Sequence, residues 1–311
     1  TGRPGDPLRA GRFLCDAIGT RLSSIVGLSL NYNSLNSRIR PTRGKTISLS
    51  AEFAGLGGDV RYTRFRGRAQ QFWNVGNSGF IFSLLAEGGT IIPLKDRPGA
   101  GIDDVLLTDR FFLGEPQIRG FAIRGVGPRI LTQVSILDNF NNPVLDANGN
   151  PTYDTVRQNS RDDAIGGRNY YLGRAELEIP LGSGARELGL RPSIWADVGA
   201  LWGVTTPILT VNPAGTQERD ANGALLYLTP TGDFTTSPTQ ADGTANRRSI
   251  VPRSNIRELF LGNSPSPRIT AGIGVNWNSP FGPFRIDFAQ TIRKVEGDDE
   301  RRFTFNVGTQ F

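Results

Sequence analysis

The chain has 311 residues, 37% hydrophobic content, 39 Gly and 20 Pro, which is lean for a soluble core yet too rich in Phe, Leu and Ile for disorder. The net charge of +6 comes from 35 basic residues scattered through alternating segments rather than gathered in one helix or tail, so nucleic acid is not an expected partner. There is no His and a single Cys, Cys15, which removes zinc sites, Ser-His-Asp triads, Cys-His dyads and any internal disulfide.

No catalytic residue, cofactor or metal is therefore expected, and the chain is not read as an enzyme. It contains no Met and opens on no charged-then-apolar leader, so it reads as processed or as a piece starting mid-protein. No apolar run approaches the ~20 residues of a membrane helix. Any membrane crossing is made by strands.

Residues 1–20 are Gly-, Pro- and Arg-rich and read as a loop remnant carrying Cys15. From Ile25 the period becomes two: Val26, Leu28, Leu30 and Tyr32 share one face, and Gly27, Ser29, Asn31 and Asn33 the other. Pro41-Thr42-Arg43-Gly44 turns the chain, with Pro fixing φ and Gly free to take positive φ. Ile47, Leu49, Ala51 and Phe53 then alternate with Ser48, Ser50 and Glu52. A weaker strand over 60–75 puts Arg64, Arg66 and Arg68 on one face, and Phe80, Phe82, Leu84 and Ala86 follow in the next. Four strands joined by short turns predict a meander.

Residues 95–165 form a long polar insert containing Ile118-Arg119-Gly120-Phe121. Its Asp146-Ala147-Asn148-Gly149 lacks the further ligand spacing of a calcium loop and reads as a turn, like Asp220-Ala221-Asn222-Gly223. Strands resume with Tyr171, Ala175, Leu177 and Ile179 opposite Arg174, Glu176 and Glu178. In the next, Ile194, Ala196, Val198, Ala200 and Trp202 oppose Trp195, Asp197 and Gly199. Residues 205–265 form a second long polar loop. The last three strands alternate most cleanly, over 268–277, 284–288 and 303–311, and the chain closes on Phe311.

This makes nine strands of about ten residues, longer than the five or six usual in soluble sheets and matched to a tilted bilayer crossing of ~9–11. Connections at 37–44, 74–78, 182–189 and 278–283 are short, and those at 95–165 and 205–265 are long, the segregation of an outer-membrane barrel, with 54–59 and 296–302 in the outer set by parity although they are short. Tyr32, Trp202, Trp277 and Phe311 stand near strand ends, as an aromatic girdle requires. The expectation is an all-β, transmembrane, antiparallel up-and-down barrel with a water-filled lumen. A buried Arg119 would need acceptors, and parity offers Glu176 and Asp197 on lumen-facing positions of adjacent strands. Arg64, Arg66, Arg68 and Arg174 are expected to be solvated in the same lumen.

From about Thr20 to Phe311 the chain resembles the C-terminal barrel of the outer-membrane protein assembly factors, the BamA family. The resemblance rests on Ile118-Arg119-Gly120-Phe121, similar to that family's Arg-Gly-aromatic motif in its sixth extracellular loop. Pro41-Thr42-Arg43-Gly44, Trp195-Ala196-Asp197-Val198-Gly199, Ser279-Pro280-Phe281-Gly282-Pro283 and the terminal strand add to it.

The resemblance implies about nine C-terminal strands of a roughly sixteen-stranded barrel, spanning residues 21–311, with 95–165 and 205–265 as extracellular loops. The periplasmic POTRA repeats and the first strands would lie outside these residues. It implies an insertase in the outer membrane of a Gram-negative bacterium. Its partners would be the lipid bilayer, unfolded outer-membrane protein clients and, through the missing periplasmic part, assembly-complex lipoproteins. The motif would pin the long loop, and the terminal strand, with Phe303, Phe305, Val307, Gly308 and Phe311, would be the gate strand. A two-partner secretion transporter or the translocation-assembly relative TamA would share the loop motif. A passive porin would share only the alternation.

Overall fold

A computed structural model describes residues 21–38, 40–76, 79–139, 143–147, 150–182, 189–209, 220, 224–248, 256–279 and 282–307. The loop remnant at 1–20, Cys15, Gly308 and Phe311 lie outside them. The strands in chain order are β1 (Ser23–Asn33), β2 (Gly44–Gly58), β3 (Tyr62–Val75), β4 (Phe80–Pro93), β5 (Arg129–Val134), β6 (Arg161–Ala164), β7 (Asn169–Glu178), β8 (Leu190–Trp202), β9 (Tyr227–Leu228), β10 (Phe234–Thr235), β11 (Arg247–Arg248), β12 (Ile256–Leu261), β13 (Arg268–Ser279), β14 (Gly282–Arg293) and β15 (Phe303–Val307).

Nine of them form one antiparallel sheet in the order β1-β2-β3-β4-β7-β8-β13-β14-β15. Neighbours in the sheet follow one another in the chain apart from the two long excursions, so the topology is up-and-down. Among the described residues the sheet does not close: β1 and β15 are its edges. The fold is an incomplete transmembrane barrel wall.

The alternation decides which face meets lipid. Leu28 and Leu30 of β1, Ile194 of β8, Ile273 of β13, Phe288 of β14 and Phe303, Phe305 and Val307 of β15 are all exposed. The intervening Asp197, Thr270, Arg285, Asp287 and Thr304 are buried. An outward apolar band with polar residues behind it is the pattern of a transmembrane barrel wall. Aromatic pairs stand near the strand ends: Trp277 on Phe284 at 5.6 Å, Phe284 on Phe305 at 5.7 Å, and Tyr171 edge-on to Trp202 at 5.8 Å. The β1–β2 turn needs its glycine. Gly44 has φ +104°, and a Cβ there would meet the Ser34 carbonyl oxygen at 2.3 Å.

Two expectations are corrected. The lumen is not simply water-filled, because Phe111, Leu113, Ile118, Phe121 and Val126 of the first insert pack with Leu85, Ile91, Leu172 and Leu201 of the inner wall in one buried apolar cluster. Each such side chain, fully buried, contributes about 1.5–3 kcal/mol. Nor are the long excursions only polar loop, since they carry β5, β6 and β9 to β12. Strands β12, β5 and β6 form a three-stranded sheet in that order, and β10, β9 and β11 form another.

The chain divides into two compact units. One is Thr1–Ile130, Asp163–Ile208 and Phe260–Phe311, holding the nine-stranded sheet; the other is Leu131–Asp162 and Leu209–Leu259. In the second unit the Asp146 N–H donates to the Asn150 carbonyl at 2.8 Å while its side chain accepts from the Asn150 N–H at 2.9 Å. The Asp220 side chain takes the Ala224 N–H at 2.7 Å, and Asn148, Gly149 and residues 221–223 of the two expected turns lie outside the described residues.

Candidate functional site

The insert folds back on the inner wall through a short clip, residues 114–121. Ile118 N–H donates to the Gly114 carbonyl at 3.0 Å and tightens the turn. Gly120 takes φ +87°, and a Cβ there would meet Thr270 Cγ2 at 2.9 Å and the Ala289 side chain at 3.2 Å. A glycine after Arg119 is thus what lets the clip lie flat on β13 and β14. Ile118 and Phe121 on either side are fully buried.

This seats Arg119, only 2% exposed, over Asp197 of β8. Its Nε donates to Asp197 Oδ2 at 2.9 Å and its Nη2 to Oδ1 at 2.7 Å, a two-pronged pairing that a planar guanidinium suits. The Arg119 backbone N–H adds a third bond to Asp197 Oδ2 at 3.1 Å. Nη1 donates to Glu176 Oε2 of β7 at 3.0 Å and lies 3.7 Å from Asp287 Oδ1 of β14. The guanidinium lies 3.8 Å from the Trp195 ring centroid, and the Arg119 carbonyl accepts from Thr270 Oγ at 2.8 Å. The structure therefore brings Ile118, Arg119, Gly120, Phe121, Glu176 and Asp197 together.

Sequence reasoning missed half of this cluster. Arg174 is not a solvated lumen residue. Its Nε donates to Asp197 Oδ1 at 3.1 Å, and its Nη2 to the Pro116 and Gln117 carbonyls at 3.1 and 2.9 Å. Arg285 joins Asp287 at 2.7 Å and Glu176 Oε1 at 3.0 Å. Three guanidinium groups (Arg119, Arg174, Arg285) face three carboxylates (Glu176, Asp197, Asp287). That balance is what burial demands, since an uncompensated ion loses several kcal/mol of hydration.

Arg64 also departs from the solvated expectation. It pairs with Glu52 at 2.9 Å, donates to the Asp109 carbonyl and lies over the Tyr62 ring. Arg66 lies 5.1 Å from the Phe111 ring centroid, with Tyr170 edge-on to that ring at 4.6 Å. Arg68, half-exposed and 3.1 Å from Glu87, keeps the wetter role.

A second buried pair fastens the β14–β15 loop. Arg268 and Asp298 are fully enclosed, with Arg268 Nε 2.9 Å from Asp298 Oδ2. Asp298 also accepts from the Gly127 and Val295 N–H groups at 3.3 and 2.8 Å. In the terminal strand Phe303, Phe305 and Val307 point outward. Inward-facing Asn306 donates through Nδ2 to Glu115 Oε1 of the clip at 2.8 Å.

Burial raises the Glu115 carboxyl above its ordinary value. The Asn306 hydrogen bond opposes the rise, Asp287 adds to it, and Arg119 and Arg174 oppose it. An acid whose pKa is raised on folding binds its proton more readily when folded. Its stabilising contribution is present below the ordinary carboxylate value and is lost as pH rises through the raised one. Docking of the clip, read as protease resistance of residues 111–126, is expected to weaken across that window, and Glu115→Gln to flatten the dependence.

The Omp85 superfamily domain matches residues 11–311. "Outer membrane protein assembly factor BamA" of Neorickettsia risticii is 27% identical over 293 residues, covering 94% of this chain and 28% of that protein. The same-named protein of Neisseria meningitidis is 23% identical over 282 residues, covering 90% and 28%. The human "Sorting and assembly machinery component 50 homolog" is 28% identical over 169 residues, covering 52% and 27%. The chain thus spans roughly a quarter of the length of these relatives. The crystal structure of BamA from Haemophilus ducreyi lacking POTRA domains 1–3 shares the fold at a TM-score of 0.54 and 18% identity, over 90% of this chain and 41% of that one. With a match across nearly its whole length and a wall of lipid-facing strands, the chain belongs to the Omp85 superfamily as a BamA-like C-terminal barrel segment.

Proposed function

We propose that this chain is the barrel portion of an insertase that folds β-barrel proteins and places them in the outer membrane of a Gram-negative bacterium. The observation that carries the reading is the match of residues 11–311 to the Omp85 superfamily domain, with the insert clipped to the inner wall through Arg119. In hydrocarbon a strand edge is costly because its N–H and C=O groups lack partners. A barrel seam that opens would offer those groups to a client strand by strand addition. The near-complete coverage of this chain by the bacterial relative, against about half by the human one, favours the bacterial setting.

On this reading Arg119 pins the first insert inside the barrel by pairing with Asp197 and Glu176. Residues 95–165 and 205–265 are extracellular, because the short connections at 37–44, 74–78, 182–189 and 278–283 occupy the other ends of the strands. Unfolded clients, and lipoproteins gathered by a periplasmic part outside these residues, approach from the short-turn side. A passive porin is disfavoured by the apolar cluster that the insert builds on the inner wall. Reconstituting the full-chain protein in vesicles tests the reading. A client barrel is expected to become protease-protected faster than in empty vesicles. Steady conductance without faster client assembly would support the porin instead.

A further inference from the structure

The clip has two ends, and they hold different strands. Arg119 is fastened to β7 and β8. Four residues earlier Glu115, 7% exposed, takes the Asn306 side chain of β15 at 2.8 Å. Its other oxygen, Oε2, is buried without a hydrogen-bond partner among the described residues. A desolvated carboxyl with one bond is costly to keep, so that bond is the evident return on its burial.

The loop entering β15 is sewn to the same segment. Phe121 bridges to Glu300. Ala122 N–H donates to the Asp299 carbonyl at 2.8 Å, Asp299 N–H to the Gly125 carbonyl at 2.8 Å, and Arg301 N–H to the Gly120 carbonyl at 3.0 Å. Among the described residues β15 pairs with β14 from Phe303 and Phe288 through Val307 and Phe284. The clip adds a grip on this strand from inside, through Asn306.

We propose that residues 114–121 set the position of the terminal strand, with Glu115 as the positioning residue that holds Asn306. The clip then holds β15 against the inner wall and releases it when the Glu115–Asn306 bond opens. The consequence for clients rests on the insertase reading above; the grip on the strand does not.

The test is hydrogen exchange on the full-chain protein in lipid nanodiscs, comparing wild type, Glu115→Ala, Glu115→Gln and Asn306→Leu. Amides of residues 303–307 are expected to exchange at least about 10-fold faster in Glu115→Ala and Asn306→Leu, equivalent to about 1.4 kcal/mol. Those of β7 and β8 stay at wild-type rates. Glu115→Gln, which keeps an acceptor oxygen for Asn306, is expected to behave as wild type. Unchanged exchange at 303–307 in Glu115→Ala, or an equal rise across β7 and β8, overturns the proposal. Client assembly measured on the same samples separates the two ideas. Faster exchange with wild-type assembly supports the grip and shows that clients do not depend on it, whereas faster exchange with no client assembly even by wild type supports the grip and counts against the insertase reading.

Discussion

Arg119→Met is expected to free the insert from the inner wall. Methionine keeps most of the length but none of the five donors, so Asp197 and Glu176 stay buried with two guanidinium groups for three carboxylates. Breaking a buried pair from one side costs about 3–5 kcal/mol. That is a shift of more than 100-fold in the docked population at about 1.4 kcal/mol per tenfold. Protease sensitivity within 111–126 should rise accordingly, and client assembly should fall with it. Arg119→Lys is expected to resemble Met, since one ammonium cannot span Asp197 twice and reach Glu176 as well. Wild-type protease resistance in Arg119→Met would refute the pinning role. The double variant Arg119→Met with Asp197→Leu should recover part of the loss, because it removes both ions rather than orphaning one.

Arg268→Met is expected to act two residues along β13 from the Thr270 contact of the clip, with comparable size. Arg268 and Asp298 are both fully buried, so an Asp298 deprived of its guanidinium again costs about 3–5 kcal/mol. The readout is different. Arg268 also donates to the Gly262, Ser264 and Ser266 carbonyls, at 2.8, 2.6 and 3.1 Å. Its loss should therefore loosen residues 262–266 and the loop 294–302, visible as faster hydrogen exchange there. Because the Asp298 loop and the Arg119 clip are joined at residues 119–127, the two variants should combine non-additively. Additive effects would show that the two clamps work independently.

The wall was legible because a bilayer and a polar interior read opposite faces of every strand, which stamps a period of two on β1 to β4, β7, β8 and β13 to β15. The same signal fails in the excursions. Arg129 to Gln133 of β5 are all buried, and a strand covered on both faces shows no alternation.

Arg119 was legible as a cation that would need acceptors if buried, and strand parity pointed to Glu176 and Asp197. The rest of the cluster was hidden for reasons of distance and disguise. Arg285 and Asp287 look self-satisfied as neighbours on one face. Arg174 beside Glu176 and Glu178 reads as a wet strand. Arg268 and Asp298 are 30 residues apart, and Glu115 and Asn306 are 191 apart, so nothing local announces either contact. Glu115 stands four residues before Arg119 and by charge alone reads as its local acid. Its partner is a neutral amide, which charge counting cannot find.

The stacking of Arg119 on Trp195 has a practical consequence. Trp195 is 4% exposed and lies 3.8 Å, centroid to guanidinium, beneath the cation that arrives with the insert. The chain holds four tryptophans, and Trp73, Trp202 and Trp277 are engaged by aromatic neighbours near strand ends. The molecule thus carries its own optical gauge. The indole emission of Trp195 follows whether the guanidinium sits above it, and retaining that one tryptophan would let the seating of the insert be watched in real time without an attached dye.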